Sequence, residues 1–344
     1  MSVVENNDLI NVSPPIYNNI NNKFEFKYRH SNDDNSIDSY PDILIHNPLN
    51  LFQQEDNDND DDLNNNNSIP CLGILNQKIN LPISIFIKLW NNSNLKVCAD
   101  GGANQLYNYL IKNSIDPETL KPDFIIGDLD SIDSNIKKYY NSINVPIKLQ
   151  SSQYFTDLDK LISIINLSIN YNDLKDLNNY NDIDELEILE NLKLINNSNK
   201  DNTDNFKKIE LYLIGSIGGR FDQTIHSINQ LIKNNLKRKN FKFYLFNSNY
   251  NEIIILLNKG YNFIHLKNNN TNNDNDNDNN ESHVQLGLLP LYKSTHISTH
   301  GLKWDVDNWE TCMDGNISSS NLLVGNTGFY VYSKDNPIFL NISY

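Results

Sequence analysis

The sequence predicts an α/β fold, in which an N-terminal domain built on a parallel sheet is followed by a C-terminal all-β sandwich domain. Three observations lead to this prediction. Short apolar runs alternate with segments of helical period up to about residue 248, strand candidates without a convincing helix follow, and 344 residues suffice for about two domains.

The first half of the chain carries short apolar runs that are typical of buried strands. Between them, three segments repeat apolar residues three or four positions apart, which is the spacing of one helical face. Strands that alternate with helices form parallel sheets with helices on their faces, so this half is predicted to be α/β. The strand ranges are 72–75, 95–99, 124–126, 145–149, 209–214 and 241–246, and the helical faces are Ala103, Leu106, Tyr107, Leu110, Ile111; Leu158, Leu161, Ile162, Ile165; and Phe221, Ile225, Ile228, Ile232.

The second half contains short strand candidates separated by Gly, Asn and Pro. This pattern is typical of a sandwich of antiparallel sheets. The ranges are 252–257, 261–266, 283–291, 295–304, 317–324, 328–333 and 338–342.

Asparagine-rich tracts set the predicted domain boundaries. The chain has 64 asparagines, concentrated at 57–67, 170–205 and 268–280, and such tracts cannot bury enough apolar surface to offset their ordering entropy. We therefore expect a disordered leader at 1–40, an α/β domain at 41–248 with an insertion near 170–205, and a β-sandwich domain at 249–344 with a loop near 268–280. A short helix at 186–194 and an interaction role for the tracts are open alternatives to tolerated surface insertions.

Net charge and cysteine content narrow the class of protein. Lys plus Arg number 28 and Asp plus Glu 43, a net charge of −15, which opposes binding to nucleic acid or anionic lipid. No apolar run approaches the ~18 residues of a membrane span, and the amino terminus lacks a basic signal region. The three cysteines lie far apart without a C-x-x-C pair, so we expect a cytoplasmic protein with no nucleic-acid or membrane partner.

The strongest candidate site follows the predicted strand at 124–126. Asp128 and Asp130 are two residues apart in the segment PDFIIGDLDS, so in an extended chain both carboxylates point to the same side. Two such charges repel each other, so the pair would either raise the pKa of one carboxyl group or bind a cation, and oxygen-only ligands favour Mg²⁺. A solvated acidic turn is the alternative interpretation.

Three further motifs lie where a strand ends and a helix begins, and each by itself is also compatible with an ordinary connection. CADGGAN joins Asp100 to a Gly101-Gly102 turn suited to an anion. QYFTDLDK combines a Thr156 N-cap with Asp157 and Lys160 on one helical face. GSIGGRFDQ offers the Arg220 guanidinium close to Asp222.

All four motifs fall at the same end of one predicted sheet, where open α/β sheets bind ligands. Neither a Walker A loop nor a dinucleotide fingerprint is present. An acidic cluster accepts a nucleotide's phosphates only when a divalent metal reverses the local charge, which indicates metal-dependent phosphoryl or pyrophosphoryl transfer. The cluster would consist of Asp100, Asp128, Asp130, Asp157 and Asp222 beside Lys160 and Arg220.

In their order and spacing, these motifs resemble the thiamine pyrophosphokinase family. The likeness includes GILNQ, CADGGANQLY, PDFIIGDLDS, TDLDK, GGRFDQ, GLKW at 301–304 and SSSN at 318–321, and it runs from about residue 71 to the C-terminus. The resemblance implies an ATP-binding α/β domain joined to a thiamine-binding β-sandwich. It also implies transfer of the diphosphate of Mg-ATP to thiamine, release of AMP, and a homodimer with thiamine near the subunit interface.

Carried over position by position, the resemblance implies a role for each matching residue. The catalytic carboxylates would be Asp128, Asp130, Asp157 and Asp222, of which Asp128, Asp130 and Asp157 would hold Mg²⁺. ATP would contact Asp100, Gly101, Gly102, Gln153, Thr156, Lys160 and Arg220. Thiamine would contact Ser318, Asn321 and Trp304.

One departure from the family concerns the last strand. The family often has a Trp near its end in a segment like P-L-L-W, whereas this chain has Pro337 to Leu340 as PIFL, with Leu340 at the Trp position. If that Trp walls the thiamine pocket, Phe339 is the candidate substitute. The alternatives are a related Mg-dependent nucleotide kinase for another alcohol, and a non-catalytic thiamine or nucleotide sensor whose Asn-rich tracts bind partners.

Overall fold

The structure is a computed structural model that describes residues 2–18, 23–25, 43–49, 68–170, 206–247, 249, 251–266 and 284–343. The chain divides into two compact units, an α/β unit at Asn67–Asn251 and a β unit formed by Met1–Asn66 with Glu252–Tyr344. The tracts at 57–67 and 268–280, nearly all of 170–205, and the helix considered at 186–194 lie outside the described residues.

The described strands and helices are numbered in chain order. The strands are β1 Ser2–Glu5, β2 Ile16–Asn18, β3 Lys23–Glu25, β4 Leu44–His46, β5 Ser68–Ile74, β6 Leu95–Ala99, β7 Phe124–Gly127, β8 Ile147–Leu149, β9 Lys208–Ile214, β10 Phe241–Asn247, β11 Glu252–Leu257, β12 Gly260–His265, β13 Gln285–Leu289, β14 Thr295–His300, β15 Trp304–Asp307, β16 Trp309–Thr311, β17 Ser318–Leu322, β18 Gly328–Ser333 and β19 Ile338–Ser343. The helices are α1 Ile83–Asn92, α2 Gly102–Lys112, α3 Ser134–Ser142, α4 Asp157–Asn170 and α5 Phe221–Lys237.

The α/β unit is built on a parallel sheet in the order β10-β9-β5-β6-β7-β8. After β5 the chain moves to β6 on one side, and after β9 it moves to β10 on the other. The order of the strands therefore reverses between β5 and β9, and the carboxyl ends of these strands flank the crevice where such sheets bind ligands.

Apolar side chains of α2 and α4 cover this sheet, as the sequence predicts for most of their positions. Leu158, Leu161, Ile162 and Ile165 of α4 are all buried. In α2 the buried face contains Tyr109, whose hydroxyl donates to the carbonyl of Leu81 at 2.8 Å. Ile111, predicted on that face, is 53% exposed instead.

Helix α5 is rotated relative to its predicted orientation. Phe221 is 77% exposed and Ile225 is 48% exposed, although their spacing predicts a core face. The buried face carries Ser227, Gln230, Leu231, Asn234 and Asn235. Hydrogen bonds explain this choice, because Asn234 Nδ2 donates to Asp159 Oδ1 of α4 at 3.2 Å, and such contacts satisfy polar groups that would otherwise be buried unpaired.

The described part of the β unit contains two larger sets of paired strands, besides the two-stranded pairs β1-β15 and β2-β3. One is the antiparallel set β17-β13-β19-β11, and the other is β16-β14-β18-β12-β4, in which β4 pairs parallel with β12. A buried apolar cluster in this unit joins N-terminal residues to C-terminal strands, and it consists of Val12, Ile43, Ile45, Phe263 and Tyr330. The predicted α/β fold class with a β-sandwich domain is confirmed.

The described part of segment 1–40 differs from the predicted disordered leader. β1 pairs antiparallel with β15, and Val12 is 1% exposed. Few apolar residues mark this segment, so composition alone predicts disorder, but backbone pairing requires no apolar side chain.

The structure also divides the predicted strand 295–304 into β14 and β15, separated by a turn at Gly301. Among the described helices, none has the length and apolar character that crossing a membrane requires.

Candidate active site

Three aspartates meet at the carboxyl ends of β6 and β7. Asp100 directly follows β6, and Asp128 and Asp130 follow β7. One carboxylate oxygen from each lies within 4.8 Å of the others. Parallel neighbours end at the same edge of the sheet, so residues 28 or more positions apart converge there.

Asp100 is held rigidly at the centre of this cluster. Its side chain is 1% exposed, and its two oxygens accept the backbone amides of Ser131 at 3.1 Å and Ile132 at 3.0 Å. Gly127 makes room for it, because a Cβ at Gly127 would lie 2.6 Å from Asp100 Cβ. Burial raises the Asp100 pKa to about 6, with the charges of Asp157 and Asp128 acting in the same direction against the two amide bonds.

The pKa of Asp128 is shifted in the opposite direction to that of Asp100. Burial acts to raise its pKa, but the Gln153 side chain, the Asp130 amide and the charge of Lys160 together lower it below its usual value. The Gln153 contact is a hydrogen bond from Nε2 to Asp128 Oδ2 at 2.9 Å. Asp130 is exposed and accepts the Ser131 hydroxyl at 2.8 Å. Asp128 is therefore held ionised beside Asp100.

The first turn of α4 brings a carboxylate and an ammonium to this centre. Lys160 is 1% exposed, and its Nζ lies 3.6 Å from Asp157 Oδ1. Burial raises the Asp157 pKa, the charges of Asp128 and Asp130 act in the same direction, and Lys160 opposes them. The predicted proximity of Asp157 and Lys160 is thus observed, although Asp157 is not in the group of three whose oxygens lie within 4.8 Å.

Thr156 caps α4, as its position predicts. Its Oγ1 donates to Asp159 Oδ2 at 2.8 Å and accepts the Asp159 amide at 3.1 Å, and the Thr156 amide donates to Asp159 Oδ2 at 3.3 Å. These reciprocal bonds form a capping box, which stabilises the start of the helix. The Thr156 hydroxyl is therefore occupied within the helix start.

Arg220 and Asp222 form a separate pair at the start of α5. The guanidinium donates to the Asp222 carboxylate from Nε at 3.1 Å and from Nη2 at 2.5 Å. The two side chains are 76% and 60% exposed. The hydrogen-bonded pairing raises the Arg220 pKa and lowers that of Asp222. Asp222 does not join the three clustered aspartates, so the predicted site divides into an acidic centre and an exposed Arg-Asp pair.

The crevice between β5 and β9 contains residues that the sequence prediction missed. Asn76 and Gln77 follow β5, and a Cβ at Gly219 would lie 3.1 Å from Gln77 Oε1. Ser216 follows β9, is 1% exposed, and its hydroxyl has no hydrogen-bond partner among the described residues. The sequence signal of Asn76 and Gln77 is the segment GILNQ, an apolar run that ends in two amide side chains, and Ser216 lies in the segment GSIGGRFDQ.

The Gly101-Gly102 turn is required for packing. A Cβ at Gly102 would lie 2.2 Å from the carbonyl oxygen of Ile74, and one at Gly101 would lie 2.3 Å from Asn76 Nδ2. The start of α2 therefore lies directly against the end of β5. Gln105 Nε2 of α2 also donates to Asn76 Oδ1 at 3.0 Å, which ties the Asp100 turn to the crevice.

Two of the three predicted thiamine contacts are linked to each other in the β unit. Asn321 is 3% exposed, and its amide accepts the Trp304 backbone N–H at 3.1 Å and donates to the Trp304 carbonyl at 2.9 Å. Trp304 itself is 37% exposed, with Lys303 Nζ 5.0 Å from its ring centroid. Ser318 begins β17 and is half-buried. Phe339 is completely buried in β19.

Asp305 is a residue of this turn that sequence reasoning missed. Its carboxylate accepts the Gly301 amide at 3.0 Å, the Leu302 amide at 3.2 Å and the Thr299 hydroxyl at 2.8 Å. These bonds fix the turn before Trp304. Burial raises the Asp305 pKa, and the three hydrogen bonds oppose that rise. The only feature of the sequence that marks Asp305 is its position directly after the segment GLKW.

The donor atoms of the acidic centre fit a hard divalent cation. The centre offers oxygen ligands only, from Asp100, Asp128 and Asp130, and Mg²⁺ prefers such ligands while retaining several waters. Of the three predicted metal ligands, Asp128 and Asp130 belong to this group.

Comparison with known proteins identifies the family. The chain matches the family model of the thiamin pyrophosphokinase catalytic domain over residues 86–245 and that of the thiamin pyrophosphokinase vitamin B1 binding domain over residues 276–336. It is 38% identical over 281 residues to thiamine pyrophosphokinase of Saccharomyces cerevisiae, which covers 78% of this chain and 83% of that protein.

Similarity to solved structures supports the same family assignment. Thiamin pyrophosphokinase from Candida albicans is 33% identical with a TM-score of 0.73, over 99% of this chain and 98% of that one. The yeast enzyme is 30% identical with a TM-score of 0.73, over 99% and 96%. By sequence and by fold, this chain belongs to the thiamin pyrophosphokinase family.

Proposed function

We propose that this protein transfers the diphosphate group of ATP to the hydroxyl of thiamine, giving thiamine diphosphate and AMP. The observation that carries the proposal is the convergence of Asp100, Asp128 and Asp130 within 4.8 Å in a member of this family. Family membership supports the choice of thiamine and ATP as substrates, and the acidic centre supports metal-dependent chemistry on a polyphosphate.

The chemistry requires attack on the β-phosphorus. The thiamine hydroxyl oxygen forms a bond to that phosphorus, the bond to the oxygen bridging the α- and β-phosphates breaks, and AMP leaves with that oxygen. Mg²⁺ bound at Asp128 and Asp130 with Asp100 would neutralise charge on the phosphates. A carboxylate of the cluster takes the hydroxyl proton, and alignment of the two substrates supplies much of the rate.

The remaining residues of the centre bind and orient the substrates. Lys160, buried beside Asp157, is suited to one phosphate oxygen, because an ammonium held by an adjacent carboxylate keeps its position without a ligand. Gln153 orients Asp128 through its 2.9 Å hydrogen bond. Arg220, exposed beside Asp222, presents a second cation to the triphosphate. We assign catalytic roles to Asp157 and Asp222 on the family resemblance.

Thiamine is assigned to the β unit. Trp304 and Ser318 are the proposed contacts, and a partly exposed indole suits a cationic thiazolium. Asn321 acts through Trp304, because its side-chain amide is bonded to the backbone of that residue. We further propose a cytoplasmic homodimer, as the family resemblance implies, and light scattering should give twice the 39.7 kDa chain mass.

The test is product analysis. The protein is incubated with ATP, Mg²⁺ and thiamine, and the products are separated by chromatography, with an EDTA-treated sample as control. We expect thiamine diphosphate and AMP in equal amounts and no product with EDTA. ADP in place of AMP would instead indicate a kinase that transfers the γ-phosphate, and binding without turnover would indicate a sensor.

Asp130→Asn tests the acidic centre directly. Asp130 is exposed and makes few contacts, so we expect an unchanged unfolding midpoint and a loss of turnover of at least a thousandfold, since one metal ligand is lost. Asp133→Asn, at the N-cap of α3, is the control of equal charge change. Full activity of Asp130→Asn would remove the assignment.

A further inference from the structure

We propose that a cavity on the α/β unit, separate from the acidic centre, binds a small phosphate or diphosphate anion. The cavity measures about 230 Å³. Its lining comes from the segment before α4 and from the end of α5, and the residues that matter are Tyr154, Phe155, Asp159, Lys233, Lys237 and Arg238.

The charge of the lining favours an anion. Among the described residues that line the cavity, Lys233, Lys237 and Arg238 are cationic and Asp159 is the one carboxylate. Lys233 and Lys237 are four residues apart on one face of α5, an arrangement that is repulsive without a counter-charge. Within the described residues, neither lysine has a carboxylate within 4.0 Å. The two exposed lysines give this surface a positive charge in a chain of net charge −15, and a bound anion would supply their counter-charge.

The floor of the cavity is already organised. Arg238 is 4% exposed, and its guanidinium donates to Asn234 Oδ1 and, at 3.1 Å, to Ser163 Oγ. Asn234 in turn donates to Asp159 at 3.2 Å. A buried cation held in this way loses little conformational freedom when an anion binds, which favours affinity.

Among the described residues, Asp159 forms no ion pair with either of the two lysines. Its carboxylate already accepts the Thr156 hydroxyl at 2.8 Å and the Asn234 amide, so it is committed to the start of α4 and to the buried face of α5. The lysine ammonium groups therefore remain available to a ligand. Phosphate oxygens pair well with such groups through charge-assisted hydrogen bonds.

Size limits the ligand. Pockets for drug-sized molecules usually span about 300–1,000 Å³, so this cavity is suited to one or two phosphate groups with at most a small organic part. The rings of Tyr154 and Phe155 form one wall, and Tyr154 is 96% exposed. Tyr154 also adjoins Gln153, which hydrogen-bonds Asp128, so a single segment contacts both the cavity and the acidic centre.

The test is calorimetric titration of the full chain with inorganic diphosphate in EDTA. Without Mg²⁺ the acidic centre repels the anion, and the part of the binding that depends on Lys233 and Lys237 reports the cavity. We expect Lys233→Ala/Lys237→Ala to weaken binding at least tenfold. The matched control, Lys112→Ala/Lys138→Ala, removes the same charge from exposed positions on α2 and α3 and should leave the affinity unchanged. Inorganic phosphate and thiamine diphosphate, titrated in parallel, distinguish a free anion from a phosphorylated organic molecule.

Three outcomes would overturn the proposal: none of the three anions binds the wild-type chain, the lysine variant binds as tightly as wild type, or the two double variants weaken equally. The result is independent of the proposed function, because neither lysine belongs to the catalytic centre. Turnover by the lysine variant with ATP, Mg²⁺ and thiamine is expected at the wild-type rate, and absent turnover in wild type would contradict the proposed function alone.

Discussion

At the scale of single residues, the acidic centre depends on neighbours that fix the orientation of each carboxylate. Asp100 is held by two amides and by the space that Gly127 leaves. Asp128 accepts a hydrogen bond from the side chain of Gln153, which lies on an exposed loop. The loop contact is therefore the part of the centre most easily altered without unfolding the chain.

Replacing Gln153 should impair turnover and leave stability intact. A hydrogen bond to a charged group contributes about 1.5–3 kcal/mol, so Gln153→Ala should lower kcat/KM roughly tenfold to a hundredfold, since each 1.4 kcal/mol is a factor of ten. Steady-state assays measure the loss. Ser152→Ala, one residue earlier on the same loop, is the control, and equal activity of Gln153→Ala and wild type would exclude the positioning role.

Ser216 provides a second residue-scale prediction. Its buried hydroxyl has no partner among the described residues, and a buried unsatisfied group lowers stability by about 1–3 kcal/mol. We expect Ser216→Ala to leave the free energy of unfolding unchanged or raised, while the KM for ATP increases because Ser216 lies two residues after the end of β9, where such sheets bind ligands. Denaturant titration and initial-rate assays measure the two effects.

Ser163 is the matched comparison for Ser216. It is also fully buried, but it accepts a hydrogen bond from Arg238 at 3.1 Å. Ser163→Ala should therefore lower the free energy of unfolding by about 1–3 kcal/mol. A similar loss for Ser216→Ala would mean that its hydroxyl is paired in the folded protein.

At the scale of elements, the spacing of apolar residues predicted the strand ranges well and the orientation of the helices less well. β6 and β18 match their predicted ranges, because continuous apolar runs bounded by turns admit few alternatives. α3 escaped prediction because Tyr140 is its one buried residue. α5 was predicted with the wrong face, because its position is set by hydrogen bonds of Asn234 that a hydrophobic pattern does not contain.

The same limit applies to the candidate site. Asp100, Asp128 and Asp130 were predictable because each follows an apolar run at the sheet edge. Asn76, Gln77 and Ser216 were not, because the neighbourhood of β5 and β9 is a property of strand order, and no local pattern records that order. The assignment of Asn321 to thiamine stays a prediction, and the structure adds that its amide bonds to the backbone of Trp304.

Two substitutions on α5 test its orientation. Leu231 is 2% exposed and Ile225 is 48% exposed. Leu231→Ala should therefore lower the free energy of unfolding by about 2–5 kcal/mol, whereas Ile225→Ala should cost less than about 1 kcal/mol, as is usual at exposed positions. Urea denaturation followed by circular dichroism measures both values. A larger loss of stability for Ile225→Ala than for Leu231→Ala would indicate that α5 buries the face that the sequence predicts.

At the scale of the whole molecule, the two ends of the chain belong to one unit. Val12, Ile43 and Ile45 pack with Phe263 and Tyr330, more than 200 positions away in the sequence. Composition could not predict this, because isolated apolar residues among polar ones carry no periodic signal. The thiamine candidate Trp304 lies in β15, the strand that pairs with β1, so the N-terminal segment supports that part of the β unit.

Deleting residues 1–18 should therefore destabilise the β unit. The deletion removes β1, exposes the space filled by Val12, and breaks the bonds from the Ile10 amide to the Val324 carbonyl at 2.9 Å and from the Val12 amide to Asn326 Oδ1 at 2.9 Å. Loss of a buried valine with its hydrogen bonds should cost about 2–4 kcal/mol. Thermal unfolding followed by tryptophan fluorescence measures it, since two of the three tryptophans, Trp304 and Trp309, lie in this unit. Val4→Ser, at a position that is 54% exposed in β1, is the control with an intact chain. An unchanged unfolding midpoint in the deletion would show that the segment is dispensable, as a disordered leader would be.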